Sequence, residues 1–369
     1  MNYPHIDLVI GTRPEAIKLA PLAFALAATG VPPRLLFTGQ HPLDPGEHEL
    51  EGFDRITLDC PGERNPLAHS DRVARTMAEV LTAPPDLLVV QGDTSSALGG
   101  ALAAFAAGVP IAHVEAGLRT FDPAMPWPEE QNRITIDRLG TLLFAPTATS
   151  AANLRADGVG GEICVSGNTG IDALLALLER LGPAESRMPG ERLRLLVTCH
   201  RRENWGRPMR SVAAALNHLA GLGKVEIKVV LHVNPAMAQA MRRALKPSPA
   251  VELLAPLGHS EMISAMRCAD VVLSDSGGVQ EEAPALGVPL LVLRDKTERP
   301  EGIASGNMVL AGTDRDRIIG LVLRLTDPAI RAAMSRPSLP FGDGRSGPRI
   351  AAAMLAWIDR SRVPLRRAS

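Results

Sequence analysis

Three acidic residues stand where chemistry is easily placed. Asp93 follows the apolar run DLLVV (86–90), Glu115 follows IAHV (111–114), and Glu129 opens a helix in PWPEEQNR (126–133). Carboxylates in different surroundings titrate apart, so one takes a proton while another gives one. Such a set suits inversion at carbon, with a base on one face and an acid on the other. Two cations accompany them: Arg13 in Gly11-Thr12-Arg13-Pro14-Glu15, after HIDLVI (5–10), and Lys18 a turn later. In the second half, His200 leaves an apolar run in Thr198-Cys199-His200-Arg201-Arg202-Glu203-Asn204, and Ser274-Asp275-Ser276-Gly277-Gly278 runs into VQEEAPALG. Each glycine in a helix's first turn costs about 1 kcal/mol against alanine. Close approach of a pyrophosphate to the open first-turn N–H groups accounts for both glycines. Glu281 and Glu282 stand where a carboxylate can hold ribose hydroxyls, and Arg299 follows the run PLLVL (289–293).

Each residue also has a plainer role. Asp93 suits an Asx turn, Glu129 a helix N-terminus, Ser276 an N-cap, and His232 in LHVNP a cap on the helix that follows. Glu115 in EAGLRT has no such role.

These residues need strands that end together. Apolar runs at 5–10, 35–38, 86–90, 111–114, 142–145 and 163–165 alternate with helical stretches such as 66–81 and 95–107. That alternation predicts a mostly parallel, doubly wound sheet. Its strand exits form the carboxyl edge, where open α/β sheets bind ligands, and Asp93 and Glu115 end consecutive strands there. The Gly/Pro-rich stretch GPAESRMPGER (182–192) reads as an exposed connector. A second series follows at 193–198, 227–231, 251–254, 271–273 and 290–293. The expected division is an N-terminal Rossmann-like domain over 1–168, a C-terminal one over 169–347 and a final helical segment over 348–369.

Composition narrows the classes. The chain has 369 residues, of which 46% are hydrophobic, enough for two domains. A formal net charge of −1 leaves no electrostatic footprint for nucleic acid or an anionic membrane. With 3% aromatic residues, a stacking-based oligonucleotide binder is excluded. Four cysteines without metal-like spacing indicate reduced thiols and a cytoplasmic setting. No signal peptide opens the chain, and its apolar runs are too short to span a bilayer. His200 and His232 lack a third ligand at sensible spacing, so no metal is expected.

The motifs GTRPEAIKLAP, QGDT, HVEAGLRT, PWPEEQNR, HRREN and DSGGVQEEAPALG with TERPE occur in order between Gly11 and Arg345. In this the chain resembles the non-hydrolysing UDP-N-acetylglucosamine 2-epimerases. The resemblance implies a GT-B fold, two Rossmann-like domains facing a central cleft, with the C-terminal helix crossing back to the first. It implies interconversion of UDP-GlcNAc and UDP-ManNAc by anti elimination of UDP to 2-acetamidoglucal and re-addition with C2 inverted, without nicotinamide or metal. Arg13, His200, Ser276, Gly277 and Gly278 would hold the diphosphate, Glu282 the ribose with Arg299 nearby, and Met262 the base. Asp93, Glu115 and Glu129, with Lys18 and His200, would serve catalysis. A homodimer and a place in polysaccharide biosynthesis are implied as well.

Two departures from the family pattern stand out. Met262, in Gly258-His259-Ser260-Glu261-Met262, replaces an aromatic residue over the uracil. Bacterial members often carry a second, effector site begun by Gln-His. Here Gln40 and His41, with Arg64 as a nearby cation, are followed by Pro42-Leu43-Asp44-Pro45-Gly46-Glu47, so weakened or absent effector binding is expected. The alternatives are a 2-epimerase of a UDP-diacetamido-uronic acid, using Lys18 or Arg119 for the extra carboxylate, a GT-B glycosyltransferase, and a non-catalytic UDP-sugar sensor.

Overall fold

A computed structural model describes residues 3–48, 50–183, 192–201 and 204–362, the side chains of 47 and 48 excepted. Most of the 182–192 connector, Arg202 and Glu203 of the HRREN motif, and the Glu47 side chain lie outside the described residues. The chain divides into two compact units, Met1–Leu175 with Phe341–Ser369, and Ala176–Pro340.

In the first unit, strands β1 (Ile6–Ile10), β2 (Arg34–Phe37), β3 (Arg55–Thr57), β4 (Leu87–Gln91), β5 (Ile111–Val114), β6 (Leu142–Ala145) and β7 (Glu162–Val165) form one sheet. Its order is β3-β2-β1-β4-β5-β6-β7, with every pair parallel. The central strands are buried on both faces, as unbroken apolar runs require. Successive side chains point to opposite faces, which sorts the core into two layers. Ile6, Leu8 and Ile10 pack with Leu19, Leu22 and Leu26 of the Arg13–Ala28 helix and with Ile350, Met354 and Ile358 of the Ser346–Arg362 helix. Val9 packs on the other side with Val73 and Met77 of the Pro66–Val80 helix and Ala97, Ala101 and Ala104 of the Ser95–Ala106 helix. Gly347 lets the last helix touch the first, since an added Cβ would stand 2.7 Å from the Pro21 carbonyl oxygen.

The second unit repeats the plan with β8 (Leu193–Thr198), β9 (Val225–Val230), β10 (Val251–Leu254), β11 (Val271–Ser274), β12 (Leu290–Val292) and β13 (Met308–Leu310). The order is β10-β9-β8-β11-β12-β13, again all parallel. Each sheet thus reverses its winding once, at β1/β4 and at β8/β11, and such switch points leave a crevice outside the strand ends.

Two strands escape the sequence reading. β3 and β13 are three-residue edge strands, too short for a periodic signal. After His41, the residues before the two prolines, His41 and Asp44, are non-helical, and Pro45 opens a 3-10 turn, Pro45–His48, with Asp44 accepting from the Gly46 N–H at 2.9 Å. Among the described residues, no helix is long and apolar enough to cross a membrane.

Candidate active site

In the first unit the exits of β1, β4 and β5 carry the predicted residues. Glu115 follows β5 in the left-handed region, at φ 72°, which is rare outside glycine and marks a backbone held by its surroundings. The side chain is buried at 7% exposure and accepts from Lys18 Nζ at 2.8 and 2.9 Å and from Gln91 at the end of β4. Lys18 is itself 8% exposed, so the turn after β1 delivers a buried cation to the acid after β5. Asp93 follows β4, half-buried, and pairs with Arg133; its carbonyl accepts from Asn132 at 2.8 Å. Asn132 and Arg133 lie three and four residues past Glu129 on the Glu129–Leu139 helix, on the face that Glu129 shares. A Cβ on Gly92 would stand 3.7 Å from Glu115 Oε2, which places Glu115 beside the turn that carries Asp93. The structure therefore gathers Lys18, Asp93, Glu115 and the Glu129 helix at one edge of the sheet.

Several residues here carried no sequence signal. Glu130 accepts from the Thr120 and Phe121 N–H groups at 2.9 and 3.1 Å, so the acid next to Glu129 shapes the preceding loop. His113 bridges Asp137 at 2.7 Å and the Gly92 carbonyl at 2.8 Å, while Asp137 also accepts from Gly117 N at 3.2 Å and pairs with Arg119 at 2.6 Å. Burial would raise the Asp137 carboxyl, but His113 and Arg119 together hold it below the usual carboxylate range. Arg119 also pairs with Asp157 at 2.7 Å.

Glu15 is fully buried and accepts four bonds, from Gly11 N, Thr12 N, Thr12 Oγ1 and Thr94 Oγ1. Burial outweighs those donors and pushes its carboxyl up from 4.5 to about 7. Between those values the folded chain holds a proton that the unfolded chain has released. Stability is therefore expected to be full below about pH 4.5 and to fall as pH rises towards 7, by roughly 3 kcal/mol at most. Urea denaturation across that window, run beside Glu15→Gln, checks this: the substituted chain should lose the slope, and equal slopes would reject the assignment.

In the second unit, β8 and β11 end side by side. Asp275, wholly buried, accepts from His200 N at 2.9 Å, Arg201 N at 3.0 Å and Asn204 Nδ2 at 2.7 Å, tying the two exits together. The His200 ring lies 5.3 Å from that of His232, whose Nδ1 accepts from Asn234 N at 2.8 Å; the cap of the following helix, Pro235–Ala244, is Asn234 and not His232. Ser276 is the N-cap of the Gly277–Leu286 helix but makes no side-chain cap bond. The two glycines differ. An added Cβ on Gly277 would stand 3.0–3.1 Å from three atoms of the Arg299 guanidinium, whereas one on Gly278 would meet nothing within 4 Å. Arg299 is 6% exposed and bound to Glu281 at 2.6 Å and to Glu298, so it floors the turn. Glu282 accepts from His259 Nε2 at 2.8 Å, and Met262 is half-buried on the His259–Cys268 helix.

Of the predicted effector residues, Gln40 accepts from Ser96 Oγ at 2.7 Å, His41 and Arg64 are exposed, and Leu43 turns inward against the core.

Two Rossmann-like units, one with acids at its strand exits and one with a glycine turn entering a helix N-terminus, define the GT-B class of nucleotide-sugar enzymes. The family model for UDP-N-acetylglucosamine 2-epimerase matches residues 25–355. The UDP-N-acetylglucosamine 2-epimerase of Bacillus subtilis is 39% identical over 361 residues, covering 94% of each chain. That of Escherichia coli is 37% identical over 366 residues, covering 94% of this chain and 97% of its own. The crystal structure of UDP-GlcNAc 2-epimerase from Neisseria meningitidis, bound to UDP-GlcNAc, superposes with a TM-score of 0.88 at 33% identity, covering 95% of this chain and all of that one. The chain belongs to the UDP-N-acetylglucosamine 2-epimerase family, and is an isomerase of the GT-B fold.

Proposed function

We propose that this protein interconverts UDP-GlcNAc and UDP-ManNAc. The proton at C2 is taken, the C1–O bond breaks, and UDP leaves with that electron pair, giving 2-acetamidoglucal. Re-addition of UDP to C1 and a proton to the opposite face of C2 completes the inversion. Asp93, Glu115 and Glu129 share the proton work, and Lys18 is paired with Glu115. Ser276, the Gly277 and Gly278 N–H groups, His200 and Arg13 take the diphosphate, Glu282 the ribose and Met262 the base. The observation that carries this reading is Glu115, held at φ 72° against Lys18 and beside the Asp93 turn. A uronic-acid substrate fits less well, because both cations available for its carboxylate are engaged, Lys18 with Glu115 and Arg119 with Asp137 and Asp157.

Reaction in D₂O followed by NMR tests the proposal: deuterium should enter at C2 of both sugars with no added cofactor. No exchange with any UDP-amino-sugar would remove it. With Leu43 turned inward, the same reaction started from UDP-ManNAc alone should show no lag. A requirement for added UDP-GlcNAc would establish a working effector site around Gln40, His41 and Arg64.

The two glycines separate folding from binding. Gly277→Ala should lose about 1–3 kcal/mol of stability, because the guanidinium behind it is fixed by two carboxylates. Gly278→Ala should fold normally but bind UDP about tenfold or more weakly, since its methyl group occupies the phosphate approach. Thermal unfolding and titration calorimetry with UDP read both, and unchanged UDP binding by Gly278→Ala would displace the phosphate site.

A homodimer is part of the same reading, supported by Leu102 and Phe105, 37% and 63% exposed one turn apart on the Ser95–Ala106 helix. Four free cysteines support a cytoplasmic setting, and supply of an amino-sugar nucleotide for polysaccharide synthesis is the corresponding role.

A further inference from the structure

At the β1/β4 switch point the chain leaves adjacent strands in opposite directions. The Arg13–Ala28 helix packs on one face of the sheet and the Ser95–Ala106 helix on the other. The β1–β4 ladder is paired at Ile6↔Leu87, Asp7↔Leu88 and Leu8↔Val89. Beyond Leu8 and Val89, Val9 and Val90 share a core layer with Ala97, and Lys18–Glu115–Gln91 links the helix after β1 to the end of β4. Glu15 adds the link that reaches the Thr94 turn itself. One carboxylate oxygen, Oε2, accepts from Gly11 N at 2.9 Å, Thr12 N at 2.6 Å and Thr12 Oγ1 at 2.9 Å, which makes a capping box on its own helix. The other, Oε1, accepts from Thr94 Oγ1 at 2.6 Å, across the switch point and next to Asp93. A capping box alone needs only the first oxygen and usually sits at the surface, whereas Glu15 is fully buried. The turns are also in close contact, since an added Cβ on Gly11 would stand 2.2 Å from Ser96 Oγ.

We infer that Glu15 is a positioning residue for the epimerisation, a buried bridge to Thr94 that holds the Arg13 and Lys18 turn at one spacing from Asp93. This rests on the activity proposed above. Displacing a reacting group by about 1 Å costs about 10²-fold in rate, so the bridge should affect turnover far more than a helix cap would. A cap steadies its own helix and sets no distance between reacting groups.

Deuterium incorporation at C2, UDP affinity and thermal stability are measured on the full chain and four variants. Wild-type exchange comes first, because its absence would fail the activity itself and not the bridge. Thr94→Val cuts the bridge and leaves the Glu15 capping box intact, but it also removes the N-cap of the Ser95–Ala106 helix, where Thr94 Oγ1 accepts from Ala97 N at 3.0 Å; it should lower the exchange rate about 30-fold or more, with UDP affinity changed less than threefold. Thr94→Ser, which keeps the hydroxyl, should restore most of the loss. Glu15→Gln can accept from the turn through its oxygen and donate to Thr94 through its amide, so it should stay within about tenfold of wild type. Glu15→Ala should match or exceed the Thr94→Val loss. Glu15→Ala leaves the Thr94 cap in place, so a loss shared by Thr94→Val and Glu15→Ala reports the bridge and neither cap; should Glu15→Ala fail to fold, Glu15→Met, which fills the site without a bond to Thr94, takes its place. Exchange by Thr94→Val within threefold of wild type, or equal loss in Thr94→Val and Thr94→Ser, would overturn the bridge and leave Glu15 a helix cap.

Discussion

Glu115→Gln is expected to lower turnover by roughly 10² to 10⁴, the range for removal of a group that moves a proton in the rate-limiting step. It also removes the charge facing Lys18, and a buried charge left alone costs about 3–5 kcal/mol. Lost stability would then confuse the reading of lost activity. Lys18→Met with Glu115→Gln removes both charges. The pair should regain most of the stability lost by Glu115→Gln and none of its turnover. Steady-state rates and denaturation midpoints on the three chains test this. Turnover that recovers along with stability would show that Glu115 serves the fold and that the proton work lies with Asp93 and Glu129.

A large loss of stability is also expected from Gly117→Ala. Gly117 has φ 83°, and an added Cβ would stand 2.3 Å from the Ser150 carbonyl oxygen and 2.8 Å from Leu154 Cγ. Neither neighbour can yield cheaply, since Ser150 belongs to the Ala148–Ala156 helix and Leu154 is buried. The strain of a side chain at positive φ and the overpacking add, for roughly 3 kcal/mol or more. In a unit of this size that lowers the melting temperature by roughly 10 °C. Gly117 also donates to Asp137, so the turn that begins at Glu115 should shift and turnover should fall with stability. A melting temperature within 2 °C of wild type, a tolerance of about 0.5–1 kcal/mol, would mean that the turn has another conformation to adopt.

The parallel, doubly wound plan was legible because strand exits coincide with chemistry. Runs such as IDLVI and DLLVV end in residues that an apolar strand would not choose, namely Arg13 and Asp93, and that junction is visible in one dimension. What sequence leaves open is which of two like residues turns inward. Glu129 and Glu130 adjoin, and it is Glu130 that accepts from the Thr120 and Phe121 amides. Arg133 and Asp137 look like ordinary charged positions on a helix, and only the fold buries them against Asp93 and His113. Gly277 was read as room for a ligand, but its neighbour is Arg299, twenty-two residues away along the chain. Such pairings depend on rotamers and on contacts distant in sequence, and no local pattern encodes them.

The charged floor beneath that turn bears on how the protein can change over generations. Arg294 binds Glu298 at 3.0 Å, Glu298 also binds Arg299, and Arg299 binds Glu281, all four nearly sealed from water. Two cations and two anions balance, so replacing any one strands a buried partner at a cost of about 3–5 kcal/mol. Single steps away from this quartet therefore cross a deep fitness valley, and only compensated pairs travel together. Drift is open to the exposed Asp295 and Lys296 that lie within the same segment. The four sites are inherited as a block, and anyone recombining segments within this unit should cut before Glu281 or after Arg299.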